Sequence, residues 1–112
     1  MTDSDKATIF RELAKLLKAD FHLDGTFTLL LNQKPKPSVA LFLREAQGHL
    51  ESGVGLTEAL RHTPSGGLTA LDLAMVGAGE SSGRLAQSFQ LLAGYYASLV
   101  ESVAKARSAL LY

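Results

Sequence analysis

From Leu85 onward the apolar residues fall into one stripe: Leu85, Phe89, Leu92, Tyr96, Leu99, Val103, Ala106 and Leu110. The steps alternate four and three, which predicts a helix that buries one seam along its length. Running from about Gly83 to Tyr112, it would be about 45 Å long at about 1.5 Å per residue. That is more than a small domain needs, so its far end is expected to project beyond the core. Phe89 and Leu92, midway along the seam, are expected to face the first and fifth helices.

Five further apolar stretches precede it. Ile9, Phe10, Leu13, Leu16 and Leu17 predict a first helix over about Lys6–Ala19, with Asp3, Ser4 and Asp5 as candidate caps and Asp20 as a left-handed terminator. Leu23, Phe27, Leu30 and Leu31 predict a short second helix, weakened by Gly25, Thr26 and Thr28. After a turn containing Pro35 and Pro37 comes a third, capped by Ser38, with Val39, Phe42, Leu43, Ala46 and Leu50 inward and Gly53 and Gly55 at its end. Leu56–Leu60 allows one or two helical turns, and His62–Gly67 reads as a loop. Thr69 and Asp72 resemble a capping box that opens a fifth helix, with Leu71, Ala74, Met75 and Ala78 on its apolar face. No segment alternates with the period of a strand. The expected fold is all-α, a compact antiparallel bundle of about six helices with a long C-terminal one, forming a single domain over residues 1–112.

Composition narrows the function classes. Eleven basic and eleven acidic residues give a net charge of zero, which argues against nucleic acid as a partner. The absence of cysteine excludes disulfide and thiolate chemistry. His22, His49 and His62 are far apart in sequence and none has a partner at metal-ligand spacing. Ser81 and Ser82 precede a helix but lack a nucleophile elbow, so helix capping accounts for them. No catalytic residue and no cofactor are expected.

The most distinctive stretch is Gly77-Ala-Gly-Glu-Ser-Ser-Gly-Arg-Leu85. Its glycines resemble a phosphate cradle, but the spacing misses the dinucleotide fingerprint, no strand precedes it, and Glu80 would repel phosphate. The structural reading is a turn between the last two helices. Gly77 and Gly79 would let another backbone come close, and Gly83 would ease the turn into the sixth helix. Glu80, at a helix C-terminus, is unfavourably placed unless it reaches the free amides opening the next helix, or Arg84. A contact across a subunit interface, or a weak metal site for a hard cation, are the sharper alternatives for Glu80.

Taken in order, these motifs resemble the cytoplasmic domain of the F-protein or PilC-like family, the inner-membrane platform of type II secretion systems and type IV pili. The resemblance rests on Phe10-Arg-Glu-Leu-Ala-Lys-Leu-Leu-Lys-Ala19, on Gly53-Val-Gly-Leu-Thr-Glu-Ala-Leu60, and on Gly79-Glu-Ser-Ser-Gly-Arg-Leu85, with Leu92-Ala-Gly-Tyr-Tyr96 and Ala109-Leu-Leu-Tyr112 after them. Asp20 stands where the family has glycine, and Gly67-Leu-Thr69 replaces a Phe-Pro. The resemblance implies a six-helix, non-catalytic scaffold at the cytoplasmic face of a bacterial inner membrane, reaching the membrane only through segments absent from this chain. Its implied partners are other secretion or pilus proteins, the assembly ATPase among them. The motif residues it singles out are Gly79, Glu80, Ser82, Gly83 and Leu85. The bare stripe at Leu99, Val103, Ala106 and Leu110 is the candidate interface of a weak homodimer. The rival functions are a regulatory bundle responsive to a small ligand or nucleotide, and a helical adaptor unrelated to secretion.

Overall fold

The apolar stripes fold as six α-helices in the computed structural model, which covers residues 1–112. They are α1 (Asp3–Lys18), α2 (Leu23–Asn32), α3 (Pro37–Glu51), α4 (Leu56–Arg61), α5 (Ala70–Ser82) and α6 (Leu85–Leu111), with one 3-10 turn at Pro64–Gly66. The all-α reading is borne out.

The helix ends show how local chemistry sets the boundaries. α1 starts three residues earlier than the apolar pattern suggests. Thr2 is its cap, accepting from the Asp5 amide at 3.0 Å while the Asp5 carboxylate accepts from the Thr2 amide at 2.9 Å. At its other end Asp20 takes the left-handed conformation with φ 66°. The amides of Asp20 and Phe21 then bond Leu17 and Leu16 carbonyls, both at 3.0 Å, closing a Schellman motif without glycine. α3 begins on Pro37, not after Ser38: a proline at the first helical position gives up no hydrogen bond, and Ser38 makes no cap. The Thr69–Asp72 capping box forms as expected, with both bonds near 3 Å.

The core is one cluster. Phe10, Phe27, Phe42 and Phe89 are fully buried, with Leu13, Leu43, Leu56, Leu92 and Val76 around them. α1 and α6 lie antiparallel along its middle. The ring centroids of Phe10 and Phe89 are 5.6 Å apart, and those of Phe10 and Tyr96 are 5.9 Å apart, distances typical of attractive aromatic pairs. Phe89 and Leu92 are therefore buried where the seam predicts. α5 differs from expectation. Leu71, Ala74 and Ala78 point to solvent, and its buried line is Asp72, Val76 and Gly79, with Leu73 and Met75 partly covered. This helix is apolar on all sides, so periodicity alone could not choose its inner face; a buried polar residue chose it.

Beyond Val100 every residue of α6 is exposed. The helix projects from the bundle and stretches the molecule to 52 Å against 30 and 26 Å in the other directions. No helix is long and apolar enough to cross a membrane.

Candidate functional site: the corner of α4, α5 and α6

The glycine-rich stretch is not mainly a turn. α5 continues through Ser82, so Gly79, Glu80, Ser81 and Ser82 are helical, and only Gly83 and Arg84 form the connection. Gly83 is left-handed, φ 72°, and the Arg84 amide reaches back to the Gly79 carbonyl at 2.8 Å. That geometry reverses the chain within two residues. The Ser82 hydroxyl donates to the Ala78 carbonyl at 2.7 Å, and that of Ser81 donates to the same oxygen at 3.3 Å. Both serines therefore close α5 from behind, and neither caps α6.

Gly79 is where α6 crosses α5. A Cβ built there would lie 2.8 Å from the Ser88 Cβ and 3.0 Å from the Arg84 carbonyl oxygen. The position admits no side chain while the two helices stay this close. Leu85, one residue past the connection, sits against the core cluster. Gly77 faces another helix, α4, where a Cβ would meet Thr57 at an ordinary 3.5 Å.

Glu80 does not turn towards α6. Its carboxylate crosses to the start of α4, where one oxygen accepts from the Leu56 amide at 2.6 Å. The other accepts from the Thr57 amide at 3.0 Å and the Thr57 hydroxyl at 2.7 Å. α4 has Gly55 at its cap position and so no side-chain cap of its own; a residue from 24 positions later supplies it. Burial pushes the Glu80 pKa up, but the Thr57 and Leu56 donors outweigh it and leave the pKa below the ordinary value. A Cβ at Gly55 would come within 2.9 Å of the carboxylate, so a larger residue at the cap position would make the end of the Glu80 side chain shift. Two stretches that look separate in sequence, Gly53–Leu60 and Gly79–Leu85, are thus halves of one structure. Leu56, Ala59 and Leu60 anchor its α4 side in the core.

A second polar group lies behind this corner, and the apolar pattern gave no sign of it. Lys6 on α1 is buried, with its ammonium 3.1 Å from Asp72 Oδ2 on α5 and 3.3 Å from the Tyr96 hydroxyl on α6. The Tyr96 hydroxyl donates to Asp72 Oδ1 at 2.6 Å. Burial alone would lower the Lys6 pKa, yet bonding to Asp72 and Tyr96 raises it. The Tyr96 pKa is raised by burial and by its bond to Asp72. The only available signal was Asp72 itself, already satisfied on paper by the capping box. Three helices are tied at one point by groups that are costly to bury unless paired.

Of the histidines, His49 and His62 come together, ring centroids 6.2 Å apart, and His62 Nε2 lies 2.8 Å from Glu58 Oε1. They join no set of three or more side chains with metal-binding geometry. A separate hollow of about 340 Å³, lined by Ile9, Leu30 and Val39, shares no residue with the α4–α5–α6 corner.

The sequence profile of the type II secretion system protein F family matches residues 9–112. The chain belongs to that family. It is also 32% identical over 109 residues to the type 4 fimbrial assembly protein PilC of Pseudomonas putida, an alignment that covers 97% of this chain and 27% of that protein. The chain thus spans about a quarter of the length of that relative. The resemblance drawn from the motifs is borne out, and two of them, Gly53–Leu60 and Gly79–Leu85, meet at the α4–α5–α6 corner.

Proposed function

We propose that this domain is a non-catalytic scaffold of an inner-membrane platform for type II secretion or type IV pilus assembly. It holds neighbouring machinery components, the assembly ATPase among them, on the cytoplasmic face. Membership of the family supports the setting. The observation that carries the scaffold role is the use of the Gly79–Leu85 motif within the fold. Both Glu80 oxygens are taken by α4, the serines bond α5's own carbonyls, and Gly79 is filled by the approach of α6. Such a motif fixes the angle between helices and so the shape of the outer surface. A nucleotide cradle would need free amides at a helix N-terminus, whereas Gly77 and Gly79 lie inside α5.

In this reading the far end of α6 is directed at the membrane, and its stripe at Leu99, Val103, Ala106 and Leu110 meets a second copy. The test is photo-crosslinking in cells from single positions on the exposed faces, Leu71 on α5 and Val103 on α6. Crosslinks to secretion or pilus assembly proteins are expected from the first, and to another copy from the second. Nucleotide binding by the purified chain in equilibrium dialysis, with no crosslinks to machinery proteins, would replace this reading with the regulatory one.

A further inference from the structure

With Glu80 turned to α4, Arg84 is left without a counter-charge. It belongs to none of the six ion pairs in the fold and is exposed. The helix dipole does not account for it. Arg84 stands at the N-cap of α6, where positive charge is disfavoured, and no acidic residue follows in the first turn. It lines a hollow of about 190 Å³ beside the α5–α6 crossing, room for a single large apolar side chain. The apolar walls of the same hollow are Met75 and Ala78 on α5 and Leu91 on α6. Leu91 is 59% exposed, so this wall faces water. Leu71, 50% exposed, extends the α5 wall by one helical turn, on the same side as Met75.

We propose that this hollow docks a helix of a partner protein that brings a carboxylate to Arg84 and an apolar side chain to Met75 and Leu91. Arg84 and Leu91 are about 10 Å apart along α6. A helix laid along the α5–α6 groove reaches both from positions i and i+7, the spacing of anchors in helices bound this way. A leucine between Met75 and Leu91 supplies the apolar centre of the contact. The carboxylate, which can accept two parallel bonds from the guanidinium, fixes the direction of the bound helix. Charge tells against a second copy of this chain as the occupant. The bare end of α6 carries Lys105 and Arg107, with Glu101 already bonded to Lys105 at 3.0 Å, and would bring like charge to Arg84. The inference deepens the scaffold reading by giving a partner its chemistry. It rests on that reading for the exclusion of lipid. Arg84 lies at the opposite end of α6, a helix of 27 residues, from the end directed at the membrane. That length, about 40 Å, is several times the screening length of about 8 Å at physiological salt.

The test uses the whole chain and fluorescence anisotropy. The probe is a labelled synthetic helix of about five turns with leucine on one face and a glutamate at i+7 from the central leucine. Comparison peptides carry glutamine or lysine in place of the glutamate, and vesicles containing phosphatidylglycerol form a further arm. The glutamate peptide is expected to bind, and the glutamine peptide to bind about fivefold more weakly, the upper end for an exposed ion pair. Arg84→Glu is expected to reverse the order, so that the lysine peptide binds best. Leu91→Asp should weaken every peptide by about tenfold. Arg44→Glu, the same charge change on an exposed residue of α3, leaves binding unchanged. Circular dichroism confirms that each variant is folded. The proposal is overturned if the glutamate peptide does not bind, if the lysine peptide binds the unmodified chain equally, or if Arg84→Glu does not reverse the order. Binding to vesicles alone, or a dimer of this chain that Leu91→Asp dissolves, overturns it in favour of lipid or a second copy. None of those outcomes alters the crosslinks to machinery proteins that test the scaffold reading.

Discussion

Lys6 and Asp72, 66 residues apart in the chain, form a buried ion pair at 3.1 Å that the Tyr96 hydroxyl closes into a ring. Replacing Lys6 by Met keeps the bulk but leaves the carboxylate without its cation. Loss of one partner from a buried pair costs about 3–5 kcal/mol, a large share of the stability of a domain this size. Tyr96→Phe removes one hydrogen bond to the same carboxylate and is expected to cost about 1–3 kcal/mol. Urea unfolding of the two variants measures both. A Lys6→Met variant as stable as the parent would mean that Asp72 is content with its amide and tyrosine donors.

Four groups, Lys6 and Tyr96 with Glu80 and Asp5, set the pH limits of the fold. Glu80 has a folded pKa below its unfolded value near 4.5, and Asp5, held by Lys36 and Thr2, below 3.8. Each therefore adds stability that is complete above the unfolded value and is lost as pH falls through the folded one. Lys6 and Tyr96 have folded values above 10.5 and 10.0. Their contribution is complete below those values and disappears as pH rises through the folded ones. Stability measured against pH should be flat through neutrality and fall on both sides. Glu80→Gln should lower the plateau and make the acid fall shallower, leaving the alkaline limb alone. An unchanged acid limb would show that the α4 cap contributes nothing to folding.

Two glycines in helix interiors should respond oppositely to alanine. Gly48 in α3 has open space where a Cβ would go, so Gly48→Ala should stabilise by about 0.5–1 kcal/mol through the helix backbone alone. At Gly79 the new methyl would strike Ser88 and the Arg84 carbonyl. Forcing α5 and α6 apart should cost about 1–3 kcal/mol, against the same intrinsic gain. Thermal melts of the two variants decide it, and a stabilising Gly79→Ala would show that the crossing can loosen freely.

Where one force dominated, the sequence was legible. The four-three stripe placed α6 and the burial of Phe89 and Leu92, because a long helix with one apolar face has a single way to lie on a core. Asp20 as terminator and Thr69–Asp72 as capping box were legible because capping is local. Tertiary choices were not. α5 is apolar all round, and its orientation follows from Asp72 meeting Lys6 across 66 positions. Glu80 suggested a contact with the next helix, and its partners lie instead at Leu56 and Thr57, in a helix too short to cap itself. A carboxylate at a helix end announces that it needs donors; which donors depends on what the fold brings near.

The last prediction concerns the free end of α6. Leu99 is half-covered by the bundle, but Val103 is 54% and Leu110 88% exposed, and Leu111 and Tyr112 continue the apolar surface. Val103 also lines, with Val100 and Ala104, a hollow of about 260 Å³ against the start of α1, so the bare stripe adjoins a recess as well as a ridge. Exposed apolar surface of this extent is usually covered by a partner, and an identical chain related by a two-fold axis presents the same stripe in return. Weak self-association is therefore expected. It should be lost in Val103→Lys with Leu110→Lys, while helicity and melting hardly change, because neither residue touches the core cluster. Sedimentation equilibrium over a range of concentrations measures this directly. The dimer interface is refuted if the unmodified chain stays monomeric at high micromolar concentration, and its assignment to α6 is refuted if the double variant associates as strongly as the parent.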